Sequence, residues 1–128
     1  MRPVPKARPR AGRTRDGRII VYTPKTTVLA EKQIELCSRE HAPADPLTKP
    51  VAVEIRFSYA MPKSRKELIP GDFVNQRPDV DNLIKTVLDA LTQGGRFWKD
   101  DSQVVIVRAE KVYAYFDSVR IRIVELPR

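Results

Sequence analysis

A chain of 128 residues and 14.6 kDa has room for one domain and one core, which 41% hydrophobic residues can fill. No apolar run is long enough for a membrane helix, the opening MRPVPKARPR lacks a hydrophobic signal region, and one cysteine and one histidine exclude a disulfide framework, a CxxC site and a His-rich zinc site. The formal charge of +8 is concentrated: residues 1–25 hold eight basic residues and one acid, whereas the other 103 hold sixteen basic and fifteen acidic residues.

Pro3, Pro5 and Pro9 keep the start extended. Residues 4–22 read as a hairpin that turns at Asp16-Gly17 and returns through Ile19-Ile20-Val21-Tyr22. This basic region, 1–25, presents Lys6, Arg8, Arg10, Arg13, Arg15 and Arg18 to phosphate oxygens, the footprint of a nucleic-acid backbone contact. A solubilising tail is the plainer alternative. Pro24 opens a helix over 24–40 with Leu29, Ala30, Ile34, Leu36 and Cys37 on its apolar arc and Glu31, Lys32, Glu35 and Arg39 toward water. Cys37 reads as packing, and His41 as a cap or loop residue after the helix.

Val51, Val53, Ile55, Phe57 and Tyr59 alternate with Ala52, Glu54, Arg56 and Ser58, the pattern of a half-buried strand. Residues 60–78 form a long connection with a short helix at 63–69. The spacing of Val80, Leu83, Ile84, Val87, Leu88, Ala90 and Leu91 predicts a helix over 79–93, stopped by Gly94-Gly95. Val104–Tyr113 and Val119–Leu126 read as two neighbouring strands with a tight connection near 115–118. Tyr113, Tyr115 and Phe116 are either core or the exposed surface through which two copies would meet.

Two acidic motifs stand out: Asp79-Val80-Asp81-Asn82 at a helix start, and Asp100-Asp101 before a strand. Asp81, Lys85 and Asp89 fall in one line along the helix. Each acid has a structural use, as an N-cap or a turn residue, and Lys85 has one in bridging Asp81 and Asp89. Taken together, the acids would repel unless a cation lay among them. Oxygen donors without His or Cys suit Mg²⁺ or Mn²⁺. A basic chain with an acidic pocket fits a metal that acts on the phosphate of a polyanion, with Lys85 one turn from Asp81 to touch that phosphate.

Arg77-Pro78-Asp79-Val80-Asp81-Asn82-Leu83-Ile84-Lys85, Leu88-Asp89-Ala90-Leu91 and Lys99-Asp100-Asp101-Ser102-Gln103-Val104 together resemble the signature of RusA-type Holliday junction resolvases. The opening basic hairpin is similar to that family as well, and the likeness runs over most of the chain. The resemblance implies a Mg²⁺-dependent endodeoxyribonuclease, with Mn²⁺ as a substitute, that binds four-way DNA junctions and makes paired symmetric nicks in recombination and repair. It implies Asp79, Asp81 and Asp101 as metal-binding acids and Lys85 as the catalytic lysine, with Asp100 beside the third acid in a less defined role. Asp89 is assigned to structure, as the partner of a cation. Arg77 joins the basic residues that contact DNA.

The expected fold is α+β: a single domain over 1–128, with a mixed sheet of about four to five strands packed on two main helices. A homodimer is expected too, because paired nicks on opposed strands need two sites related by a two-fold axis. The expected setting is the cytoplasm of a bacterial host, with a phage or prophage origin, no membrane and no small-molecule cofactor. The alternative is a non-catalytic branched-DNA-binding accessory protein of a phage or prophage.

Overall fold

The computed structural model describes residues 1–7, 10–22 and 24–128, and of Arg10, Ile20, Val21 and Tyr22 the backbone. The elements run β1 (Arg10–Arg13), β2 (Ile19–Tyr22), α1 (Lys25–Ser38), β3 (Val51–Ala60), α2 (Val80–Gly94), β4 (Val104–Ala114) and β5 (Ser118–Glu125), with 3-10 turns at Arg39–His41 and Asp101–Gln103. The expected α+β class holds. The mixed sheet, however, has three strands, β3, β4 and β5, rather than the expected four to five, because β1 and β2 pair with each other in a separate antiparallel hairpin. Gly17 turns the hairpin at φ +86°, a backbone region open to glycine.

β3 is the centre of the fold. Val51, Val53, Ile55, Phe57 and Tyr59 are all at most 5% exposed, as the alternation requires. α2 presents Leu83, Val87, Ala90 and Leu91 to the same core, joined by Phe97 and by Trp98, whose ring is fully buried and whose Nε1–H donates to Thr92 Oγ1 at 2.8 Å. Gly95, at φ +64°, ends α2 by donating its N–H to the carbonyls of Leu91 and Thr92.

Three more expectations are corrected. The two C-terminal strands are not neighbours: the order is β4-β3-β5, with β4 parallel and β5 antiparallel to β3, so residues 115–117 cross the end of the central strand. Hydrophobic period gives strands but not their order. The 63–69 segment makes turns rather than a helix. The connection bonds to β4 instead: Gly71 N–H to Tyr113 O, Tyr113 N–H to Asp72 O and Val74 N–H to Lys111 O, at 2.9–3.0 Å. It thereby covers the C-terminal half of that strand's outer edge.

The last correction concerns α1. Its inward face is Thr27, Ala30, Glu31 and Ile34, while Leu29, Leu36 and Cys37 are exposed. The helix is rotated from the apolar arc because Glu31 finds a cation inside the fold. His41 is exposed after the helix, as expected. Tyr113 belongs to the core, whereas Tyr115 and Phe116 are exposed.

Candidate metal centre

The first turn of α2 is fixed by its neighbours. Lys111 Nζ, on β4, donates to the carbonyls of Gln76 and Pro78 at 2.6 and 2.7 Å and so holds the segment that delivers Asp79. On the other side, Lys6 N–H donates to Asn82 O at 2.9 Å, laying the N-terminal arm along the start of the helix. Asp79 stands at the N-cap with extended backbone (φ −69°, ψ 141°), yet its side chain makes no capping bond among the described residues. Asp81, in the first turn, accepts from the N–H of its neighbour Asn82 at 3.0 Å. Both are exposed, at the positive end of the helix dipole.

Lys85 follows one turn later. Its Nζ is 3.5 Å from Asp89 Oδ2, and that same oxygen lies 3.2 Å from Lys6 Nζ. Asp89 is therefore shared between two ammonium groups. Lys6 lies 2.5 Å from Glu31 Oε1 as well. Burial alone would lower the Lys6 pKa, but its bonds to Glu31 and Asp89 outweigh that and raise it above the ordinary lysine value. The geometry gives Lys6 a structural task in addition to the DNA contact expected from the sequence.

Asp100 and Asp101 lie at the other end of α2. Asp100 accepts from Ser102 N–H at 2.9 Å, and Gln103 Oε1 accepts from the N–H groups of Lys99 and Asp100, closing a capping box. Gln103 Nε2 ties this turn to Leu47 O at 2.7 Å. The Ser102 backbone bond, then the neighbouring Asp101 side chain and the Ser102 side chain, hold the Asp100 carboxyl below its usual range. Asp101 is exposed beside it.

Asp79 shares a cleft with Tyr59 at the C-terminal end of β3, whereas Val104, just after Asp101, is paired with Val51 at its N-terminal end. At a strand rise of about 3.3 Å per residue, the two acidic ends are on the order of 20 Å apart. Among the described residues no three His, Cys, Asp or Glu side chains lie close enough to share a metal ion. Within one chain, then, Asp79, Asp81 and Lys85 share the first two turns of α2, with Lys85 turned to Asp89, while Asp100 and Asp101 lie apart from them. Two carboxylates do not by themselves make the expected site, since a hard divalent cation takes about six oxygen ligands.

The basic residues also divide. Arg13, Arg15 and Arg18 are exposed around the hairpin tip, where Arg18 Nε lies 2.7 Å from Asp16 Oδ2 in a surface pair that costs little to open. Arg77 sits beside Asp79 on the cleft. Arg8 lies outside the described residues, as does the side chain of Arg10. The sequence reading passed over Arg2 and Tyr59, which line the same cleft. Tyr59 followed the core alternation, and only the hydroxyl at its tip distinguished it from Phe57.

The family model "Endodeoxyribonuclease RusA" matches residues 1–124. The chain is 33% identical to "Uncharacterized protein YqaN" of Bacillus subtilis (strain 168), over 97% of this chain and 91% of that one. It is 32% identical to "Crossover junction endodeoxyribonuclease rusA" of Lactococcus phage r1t, over 60% of this chain and 56% of the relative. It is 43% identical over 60 residues to "Crossover junction endodeoxyribonuclease RusA" of Escherichia coli (strain K12), which covers 47% of this chain and 40% of the relative.

Proposed function

Because the chain belongs to the RusA endodeoxyribonuclease family, we propose that it is a Mg²⁺-dependent nuclease that resolves four-way DNA junctions by paired symmetric nicks, working as a homodimer. The setting we propose is recombination and repair in the cytoplasm of a bacterial host, with a phage or prophage origin. The observation that carries the activity is the mouth of α2. Asp79 makes no capping bond among the described residues and lines a cleft that also carries Arg2 and Arg77, Asp81 is exposed in the first turn, and Lys85 follows one turn later on the same helix.

Asp79 and Asp81 are the residues that would hold the metal, and Mn²⁺ would suit the same oxygen donors. The third donor, Asp101, is on the order of 20 Å away in its own chain by strand geometry. We place it opposite the α2 mouth of a second copy. A two-fold axis then generates two equivalent sites, each with Asp79, Asp81 and Lys85 from one chain and Asp101 from the other, as two opposed nicks require. A hard divalent cation supplies a water of lowered pKa and neutralises charge on the phosphate. Lys85 contributes its own ammonium as a fixed positive charge toward that phosphate. The exposed arginines of the hairpin hold the DNA backbone.

Mixing inactive variants tests both the activity and the assembly. Asp81→Asn and Asp101→Asn, each alone, should bind a labelled synthetic four-way junction and fail to nick it with Mg²⁺. Subunits of the two variants co-refolded together should regain nicking, because one composite site in the mixed dimer keeps both acids. No recovery, with mixed dimers demonstrated, would refute sites shared between copies. No Mg²⁺-dependent cutting by the unaltered chain would instead favour the non-catalytic junction binder.

A further inference from the structure

Beside the acids lies a cleft of about 490 Å³, walled by Arg2, Pro3, Pro5, Tyr59, Pro78 and Asn82, with Arg77 and Asp79 at the α2 mouth. Its volume lies within the ~300–1,000 Å³ of ligand sites. The Tyr59 hydroxyl is buried in its wall and has no hydrogen-bond partner among the described residues, in a side chain only 5% exposed. A buried hydroxyl left unpaired carries the full cost of its desolvation, so a partner there is worth more than one on the surface. Burial, partly offset by Arg2 and reinforced by Asp117, raises the Tyr59 pKa.

The group that covers the Tyr59 ring is movable. The Arg2 guanidinium lies 5.2 Å from the centroid of the Tyr59 ring. Its side chain is 68% exposed, and its ion pair is a long 3.7 Å contact to Asp117. Such a pair holds weakly. The Lys6 ammonium also lines this cleft but is held by Glu31 and Asp89, which leaves two guanidiniums and a phenolic O–H as its donors, at the positive end of the α2 dipole. Together they match an anion with several oxygens.

We propose that this cleft is a phosphate subsite for the DNA strand, in which the Tyr59 hydroxyl and the Arg2 and Arg77 guanidiniums take the phosphodiester that neighbours the one lying against Asp79 and Asp81. The assignment rests on DNA being the ligand, and it sets where the strand must lie to present its next phosphate to the carboxylates. Arg2 swings from the tyrosine ring to the incoming oxygen, and the hydroxyl gains the partner it lacks.

The test is read in binding, apart from cutting. Four-way junctions with one neutral methylphosphonate at successive positions are titrated in EDTA against the full chain and against Tyr59→Phe, which keeps the ring and loses the hydroxyl. The unaltered chain should show one position, next to the cut phosphate, where the neutral linkage weakens binding about tenfold, as for a hydrogen bond to a charged group. In Tyr59→Phe that position should become nearly insensitive while the others keep their penalties, and Arg2→Ala should flatten the same position. A Tyr59→Phe profile that matches the unaltered chain at every position overturns the subsite, and so does the absence of any sensitive position. Adding Mg²⁺ to the same junctions reads the nuclease proposal separately: absent cutting with a Tyr59-dependent position would sink the nuclease and keep the subsite.

Discussion

The Lys6 ammonium sits 2.5 Å from Oε1 of Glu31, a residue only 6% exposed, and joins the N-terminal arm to α1 across 25 positions of sequence. The same ammonium reaches Asp89 on α2 at 3.2 Å, so one side chain ties the arm to both helices. Ala7 N–H adds a bond to Thr27 Oγ1 at 3.2 Å, and Thr27 is itself buried. The arm that lines the cleft is therefore anchored by buried polar contacts rather than by apolar packing alone.

Lys6→Met should consequently unfold the protein more easily and leave its electrostatics toward DNA almost unchanged. Removing one partner of a buried pair costs about 3 kcal/mol, because Glu31 is left charged and unpaired. Urea midpoints should show that loss, and Lys6→Met/Glu31→Leu should recover much of it. The slope of junction affinity against salt should stay the same in Lys6→Met. Joint removal of Arg13, Arg15 and Arg18 should flatten it by about 0.9 for each DNA phosphate that those arginines neutralise. Alkali adds a sign check. The Lys6 pKa is raised in the fold, so its contribution is complete below the unfolded value near ~10.4 and is lost as pH rises through the higher folded value. Lys6→Met should lack that alkaline loss.

Asp100 and Asp101 are adjacent and alike in sequence, but the structure separates their work. Asp100 caps the turn that leads into β4. Its folded pKa lies below the usual value, so it stabilises above the unfolded value near ~3.9 and loses that contribution as pH falls through the folded one. Asp100→Ala should lower the urea midpoint at neutral pH and show a flatter acid limb. Asp101→Asn should leave the midpoint in place and lower nicking by about a hundredfold or more, as for removal of a metal ligand. Steady-state nicking beside urea titrations distinguishes the two.

These contrasts show what the sequence could display. β3 was legible because its alternation records one buried face, and α2 because its 3.6-residue stripe packs against that face. Glu31 was not, because the cation that permits its burial lies 25 residues away and no periodicity carries that information. The placement of β4 and β5 on opposite sides of β3 follows from tertiary pairing, which two similar strand patterns cannot encode. The two acidic motifs stood out in the sequence, but their division between the two ends of α2 became visible only with the fold.

Trp98 gives a direct probe of the core that carries the α2 mouth. It is the sole tryptophan, fully buried, with its N–H donated to Thr92 Oγ1. Its emission should be blue-shifted in the folded chain and move to the red in a single transition with urea. Trp98→Phe should cost about 1–3 kcal/mol, since it opens space and strips Thr92 of its partner. Circular dichroism against urea measures that loss.

The carboxylates at the α2 mouth should hinder DNA when no metal is present. Asp79 lines the cleft that Arg2 and Arg77 make attractive to phosphate, and like charges about 4 Å apart at a solvated surface repel by about 1 kcal/mol. Asp79→Asn should therefore bind a four-way junction about fivefold more tightly than the unaltered chain in EDTA, while failing to cut it in Mg²⁺. Because Asp79 makes no capping bond among the described residues, the substitution removes charge without removing a helix contact, and the urea midpoint should not fall. Gel-shift titrations in EDTA decide the matter: equal or weaker binding by Asp79→Asn would mean that DNA phosphate does not approach this end of α2.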